Sequence, residues 1–295
     1  MTRTRSLSAP NHTPRRALPA ALALLASAFA LVLACGLGGC ASNGAGAAGG
    51  DGTDGKTLKV AMELAYPPFE TKDDAGNPEG LAVDFIRDFG AAYGYDVQIE
   101  NTAWDGLIPS LQSGKADLVI SSMTITPERL ESVDFSDAYA MAQLAILANA
   151  NSGVGSIDDL NQPGKKVAVK TGSTGDVYAT KNLTNAEIVR LADESACVTE
   201  VVQGKADGFL YDQLTIYRNH EANPDTTEAV FIPFQDAEEW GIAVKKGNTE
   251  LLDQLNAFIA QSRTDGEFDR LTEKYLSEEK KAFDQYGFKW FFDFE

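Results

Sequence analysis

The chain has little cysteine: Cys35, Cys40 and Cys197 are the whole supply in 295 residues. Two of them fall within the first 40 residues, so Cys197 stands alone in the remainder and no internal disulfide is expected. Its small apolar side chain suits a buried helix face. Histidine is scarcer, with only His12 and His220. This leaves no His/Cys cluster at metal-ligand spacing and no histidine beside a candidate nucleophile, so neither a metal nor a cofactor is expected. Positive charge is also short. The formal net charge is −18, and outside the four arginines of residues 1–40 the chain carries 21 basic against 43 acidic residues. Such a surface repels phosphate backbones and anionic headgroups, which excludes nucleic acid as a partner and limits membrane contact to an anchor.

Long apolar runs are absent apart from one, residues 17–34, which follows a basic segment with Arg3, Arg5, Arg15 and Arg16. This is the layout of a signal peptide, assigned to residues 1–39. It ends in Leu37-Gly38-Gly39-Cys40, which looks like a lipobox with Cys40 as the lipidated residue. Cys35 is a second candidate, poorer because it lies inside the apolar run. An uncleaved membrane anchor is the plainer alternative, and either reading places the rest of the chain outside the cytoplasm. Residues 40–56 then carry the lipidated Cys and a Gly/Ala/Ser/Asn tether.

The body of the chain alternates strand and helix patterns, an α/β signature. Lys56 to Leu64 alternates as a strand and breaks at Tyr66-Pro67-Pro68-Phe69-Glu70. Helical spacing follows from Val83 to Tyr93, then a strand at Asp96 to Glu100. The most informative stretch is Trp104 to Asp137. Asp105 can cap a helix that Gly114 stops, and Ala116 to Ile120 suits a buried parallel strand. The chain leaves that strand through Ser121, Ser122, Met123 and Thr124, and Thr126-Pro127 starts a helix with Arg129 in its first turn. Hydroxyls, free backbone groups and a guanidinium therefore converge at the carboxyl end of a parallel strand, where open α/β sheets bind ligands. Arginine forks a carboxylate, and hydroxyls with carbonyls suit an ammonium.

The second half repeats the plan. Ala138 to Asn149 reads as one crossing strand, and Lys166 to Lys170 as a strand ending in Thr171-Gly172-Ser173-Thr174-Gly175 before a helix near Asp176, an anion-type site without the Walker lysine. Gly204-Lys205-Ala206-Asp207 repeats Gly114-Lys115-Ala116-Asp117, with a helix before and a short strand after in both places. The second strand ends at Leu210-Tyr211-Asp212, facing the first lobe's Ser121-Ser122. Val230 to Phe234 and Glu239 to Lys245 read as strands, Asn248 caps a long helix, and Phe268 to Tyr275 marks the last helix. The end, Phe283 to Glu295, is unusually aromatic and is expected to pack back on a lobe.

The stretch Trp104 to Asp137 closely resembles the signature region of family 3 periplasmic solute-binding proteins, the amino-acid receptors of ABC importers, and the resemblance extends over residues 57–278. It implies a two-lobed type II periplasmic-binding-protein fold whose lobes are joined by two hinge strands. Lobe one would be 57–139 plus 240–295, lobe two 144–236, and the hinges near 139–143 and 237–240. It also implies roles. Arg129 would fork the ligand α-carboxylate, with the amides of Thr124 and of Ser173 or Thr174. Asp212 would take the α-ammonium with the Ser122 carbonyl and the Thr124 hydroxyl. Tyr66 and Trp104 would flank the side chain, Glu63 would sit near its far end, and Lys170 and Ser121 would add contacts. The plain readings are Trp104 in a core, Asp212 as a helix cap and Glu63 as a solvated acid.

The activity so implied is binding of an amino acid and its delivery to permease subunits of an ABC importer, by a monomer held outside the cytoplasm through a lipid anchor, on the periplasmic or cell-surface side. Arg, Lys or ornithine come first as ligands, then glutamine, glutamate and other polar amino acids. The alternatives are a periplasmic dehydratase of an aromatic amino-acid precursor, using Glu63 or Asp212 as acid, and an amino-acid sensor lipoprotein.

Overall fold

In the computed structural model the described residues are 56–286 and 289–294. The signal peptide, the lipidation at Cys40 or Cys35 and the tether up to residue 55 lie outside them. Among the described residues no helix is long and apolar enough to cross a membrane.

Two five-stranded sheets organise residues 56–245. The first has the order Tyr95–Asn101, Lys56–Met62, Leu118–Val119, Ala243–Lys245, Val133–Phe135. Its first three strands are parallel, and Ala243–Lys245 runs antiparallel to both neighbours. The second has the order Glu187–Leu191, Lys166–Lys170, Gly208–Asp212, Leu144–Asn149, Thr227–Val230. Again the first three are parallel and the fourth is antiparallel to its neighbours. A short antiparallel pair, Ala140–Ala142 with Glu238–Trp240, links the two.

The repeated tetrapeptide does the same job in each sheet. Gly114 and Gly204 both take left-handed backbone, at φ 73° and 69°, directly after a helix. The side chains of Asp117 and Asp207 then accept from the amides of Lys59 and Lys166 at 2.8 Å. Their own amides donate to the carbonyls of the same two residues, also at 2.8 Å. Each motif thus registers the third strand of its sheet against the second at the third strand's amino end. The ligand-facing carboxyl ends are left free.

Two expected strands break in two. Ala138 to Asn149 is interrupted at Gln143, whose amide bonds Gln213 Oε1 (2.5 Å) and whose side chain reaches the Gln235 carbonyl (2.9 Å). Glu239 to Lys245 is interrupted at Gly241, where a Cβ would lie 2.9 Å from Ile125. Both breaks fall at the interior residue that departs from the apolar run, the polar Gln143 and the side-chain-free Gly241, which the strand pattern alone does not weigh as stops. Asp105 makes no cap bond; a 3₁₀ turn at Trp104–Gly106 precedes the helix Leu107–Gln112. The strand expected at Val230 to Phe234 sits earlier, at Thr227–Val230. Pro233 supplies no amide for a ladder.

The helices Leu81–Tyr93, Thr249–Thr264 and Glu267–Tyr275 bury their apolar faces on the first sheet in one core with Phe85, Phe89, Leu255 and Leu271. A further helix, Ser277–Tyr286, follows, and Phe283, Trp290 and Phe291 are buried in the same core. Cys197 lies at 0% exposure in the second lobe, and burial pushes its thiol up to about 12. The helix Thr174–Asn182 crosses the second sheet so closely at Gly175 that an added Cβ would fall inside the contact radius of the Leu210 carbonyl. Gly175→Ala is therefore expected to cost about 1–3 kcal/mol through backbone displacement, read as a lower urea midpoint with an unchanged m-value. An unchanged midpoint would mean the crossing is looser than this.

Candidate ligand-binding site

The site lies between the carboxyl ends of the two sheets, around a partly open cleft. It is lined by Glu63, Tyr66, Trp104, Ser121, Ser122, Thr124, Arg129, Ser173, Thr174 and Asp212. Lys170 reaches it through its ion pair with Glu63. The eleven residues singled out from the sequence are therefore brought together, although they come from both lobes.

At one end Arg129 is set by local structure. The Thr126 hydroxyl accepts from the Arg129 amide (3.2 Å), with Pro127 as the first helical residue. The guanidinium donates to the Thr124 carbonyl (2.7 Å) and, across the cleft, to the Gly172 carbonyl (3.2 Å). It also lies 5.3 Å from the Trp104 ring centroid. Burial draws its pKa down, opposed by the charge of Glu238. Two of its five N–H donors are thus used, and a carboxylate in the cleft can take others. Among the described residues no hydrogen-bond partner is found for the Thr124 and Thr174 amides. The Ser173 amide, in contrast, donates to the Lys170 carbonyl (3.0 Å), and its hydroxyl caps the helix by accepting from Asp176 N (3.2 Å). Of the two serine–threonine options only Thr174 keeps a free amide.

Next to it, Ser122 holds left-handed backbone at φ 48°, an uncommon and costly conformation for a non-glycine residue that clusters at ligand sites. The Asp212 carboxylate is both cap and cleft group. One oxygen accepts from the amides of Leu214 (3.0 Å) and Thr215 (3.1 Å) and from the Tyr66 hydroxyl (2.7 Å), which comes from the other lobe. Burial raises its pKa and these bonds hold it down. The Thr215 side chain adds a further hydrogen bond to the same carboxylate. The Thr124 hydroxyl is turned away from the ammonium role expected of it. It donates to Glu238 (3.0 Å), as does the Thr174 hydroxyl (2.6 Å).

At the far end Glu63 is neither solvated nor a free acceptor. Its carboxylate is ion-paired with Lys170, the two side chains being 13% and 5% exposed. The Lys170 ammonium also sits 5.2 Å from the Trp104 ring centroid, and the Ser121 hydroxyl accepts from the Glu63 amide (3.0 Å). A cationic side chain reaching this end meets Lys170 as well as Glu63, which removes the electrostatic reason for ranking basic amino acids first.

Two acids in the wall had no sequence signal. Glu70 is 1% exposed beside the Ser122 hydroxyl (3.2 Å), and Glu238 lies on the linking strand Glu238–Trp240. Neither sits at the end of a long central strand, the feature that marked the others. Burial raises the pKa of both, as it does for Asp212, and it pushes Glu194 up to about 8. An acid with a raised folded-state pKa binds its proton more tightly in the folded protein. Its stabilising contribution is present below the unfolded value and is lost as pH rises through the folded one. With no amino acid bound, the melting temperature should therefore fall between about pH 5 and pH 8.5, measured by scanning fluorimetry. A rise over that window would contradict the assignment.

Residues 58–278 match the bacterial extracellular solute-binding proteins, family 3. A probable histidine-binding protein of Neisseria gonorrhoeae is 34% identical over 257 residues, covering 85% of this chain and 96% of that one. Among solved structures, an ancestral arginine-binding protein bound to glutamine is 36% identical with a TM-score of 0.69, covering 75% of this chain and 98% of that one. An ancestral amino-acid-binding protein, described as a precursor of cyclohexadienyl dehydratase, is 37% identical with a TM-score of 0.68, covering 74% and 94%.

Proposed function

We propose that this chain, which belongs to the family 3 bacterial extracellular solute-binding proteins, binds an α-amino acid with a neutral polar side chain, glutamine first, between its lobes and delivers it to the permease of an ABC importer. The observation that carries the choice of side chain is the Glu63–Lys170 pair at the far end of the cleft. A carboxamide there accepts from Lys170 and donates to Glu63, so all three groups stay satisfied as water leaves. A guanidinium or ammonium would be repelled by Lys170, and a carboxylate by Glu63. At the near end Arg129 with the Thr124 and Thr174 amides takes the α-carboxylate, and Asp212 takes the α-ammonium. Each ligand charge is thus paired when the lobes close on it, a hinge motion about residues 139–143 and 237–240.

Binding without turnover is favoured because the two acids considered for catalysis are both engaged, Asp212 by Tyr66, Leu214 and Thr215, and Glu63 by Lys170. The likeness to a dehydratase precursor is checked by incubation with prephenate and arogenate, and release of an aromatic product would replace this reading. The lipid anchor at Cys40 is part of the same proposal, and mass spectrometry of the mature amino terminus tests it. A sensor would have the same cleft, so import is tested by uptake of labelled glutamine in cells lacking the chain. The ligand itself is tested by thermal shift after unfolding and refolding, against the twenty amino acids, ornithine and citrulline. A ligand at 100 times its Kd adds about 2.7 kcal/mol. The largest shift is expected with glutamine. A larger shift with arginine, lysine or ornithine would discard the far-end assignment but keep the receptor, and no shift with any of them would discard both.

A further inference from the structure

The family match ends at residue 278, and the described residues continue to 286 and from 289 to 294. The two solved relatives are covered over 94% and 98% of their length by three quarters of this chain. The segment beyond residue 278 lies outside the family match. It touches both lobes and the linking strands. The Phe291 carbonyl accepts from the amide of Met141 on the linking strand Ala140–Ala142 (2.7 Å). Its ring, at 0% exposure, lies 5.6 Å from Trp240 on the other linking strand and 5.2 Å from Phe69. On the second lobe, Phe283 meets Tyr217 edge-on at 6.3 Å, and Glu279 lies 3.8 Å from Arg218.

These contacts close a ring around one bond. Phe69 stacks on Tyr66 at 5.6 Å, and the Tyr66 hydroxyl donates across the cleft to Asp212. Asp212 caps the helix Gln213–Ala222, which carries Tyr217 and Arg218 back to the tail. Arg218 also donates to the Pro67 carbonyl (2.5 Å), next to Tyr66.

We propose that residues 279–286 and 289–294 act as a strap that holds Tyr66 and the Asp212 helix together across the cleft, which makes Phe291 a positioning residue for the ammonium end of the ligand site. This rests on the amino-acid reading above for its ligand readout only. The aromatic stack is rigid and close-packed, so a displaced Phe291 ring displaces Phe69 and then Tyr66. The contacts are made when the lobes are together, so their loss speeds opening more than it slows encounter.

Removing the whole tail would also take Phe283 and Phe291 out of the core, so the test uses the milder Phe291→Leu, which keeps an apolar side chain but removes the ring. In otherwise unchanged protein, release of L-glutamine, or of the amino acid with the largest shift in the screen, should speed up about tenfold with little change in association rate. In a Tyr66→Phe background, which lacks the hydroxyl, Phe291→Leu should add almost nothing. The same factor in both backgrounds, a change confined to association, or no change overturns the strap. If no amino acid binds, the reading of the ligand falls, and hydrogen exchange of the Gln213–Ala222 amides decides the strap. Phe291→Leu should accelerate it with Tyr66 intact and not further with Tyr66→Phe. Equal acceleration in both, or none, overturns the proposal.

Discussion

Arg129→Ala abolishes measurable amino-acid binding while leaving the fold in place. Among the described residues that line the near end of the cleft, Arg129 carries the one cation. A carboxylate bound there without it is desolvated and held by the Thr124 and Thr174 amides alone. Truncating one partner of a buried charge pair costs about 2–5 kcal/mol, or roughly 30-fold to several thousandfold in Kd. The two carbonyls that Arg129 now satisfies, on Thr124 and Gly172, face the cleft and can turn to water. Stability without an amino acid should thus change little. Arg129→Lys separates charge from geometry. It keeps the cation but loses the planar fork, and should fall between the wild type and the alanine variant. Isothermal titration on the three proteins checks the order, and wild-type affinity in Arg129→Ala would remove the carboxylate assignment altogether.

Lys170→Met changes what is bound rather than whether anything is bound. The methionine fills similar volume against Trp104, and Glu63 loses the ammonium that neutralises it. A carboxylate stranded in a largely buried wall is costly, by about 3–5 kcal/mol where a pair is fully buried. Bound arginine or lysine would bring a replacement cation to Glu63 and recover much of that cost. A bound carboxamide would find only an acceptor. The ratio of affinities, glutamine over arginine, should therefore invert, by ten- to a hundredfold for a difference of about 1.4–2.7 kcal/mol. Thermal stability without an amino acid should fall in the same variant. An unchanged preference would mean that the far end of the ligand does not reach the Glu63–Lys170 pair.

The sequence was sufficient wherever a residue's task is local. Thr126 caps the turn that carries Arg129, Asn248 caps the helix that follows it, and the two Gly-Lys-Ala-Asp motifs each follow a helix with a left-handed glycine. These depend on neighbours three or four positions away, or on one motif met twice. The family signature rests on such a continuous stretch. The groups around Arg129 stand at a strand end and a helix start that the pattern places, whereas the roles expected of Glu63, Tyr66, Trp104, Lys170 and Asp212 come from the family resemblance.

Only the tertiary structure decided how charges pair across the cleft. Glu63 and Lys170 are 107 positions apart, Tyr66 and Asp212 146 apart, and Thr124 and Glu238 114 apart. Nothing in spacing or propensity ranks one such pair over another. Lys170 was a plausible extra contact in the sequence; its pairing makes it the group that changes the expected ligand. The breaks at Gln143 and Gly241 are of the same kind, because a polar residue or a glycine inside an apolar run becomes a break only where neighbouring elements engage it. The aromatic tail was visible as composition alone. What it packs against depends on where Phe69, Trp240 and Tyr217 meet, and that meeting exists only once both lobes and the linking strands are in place.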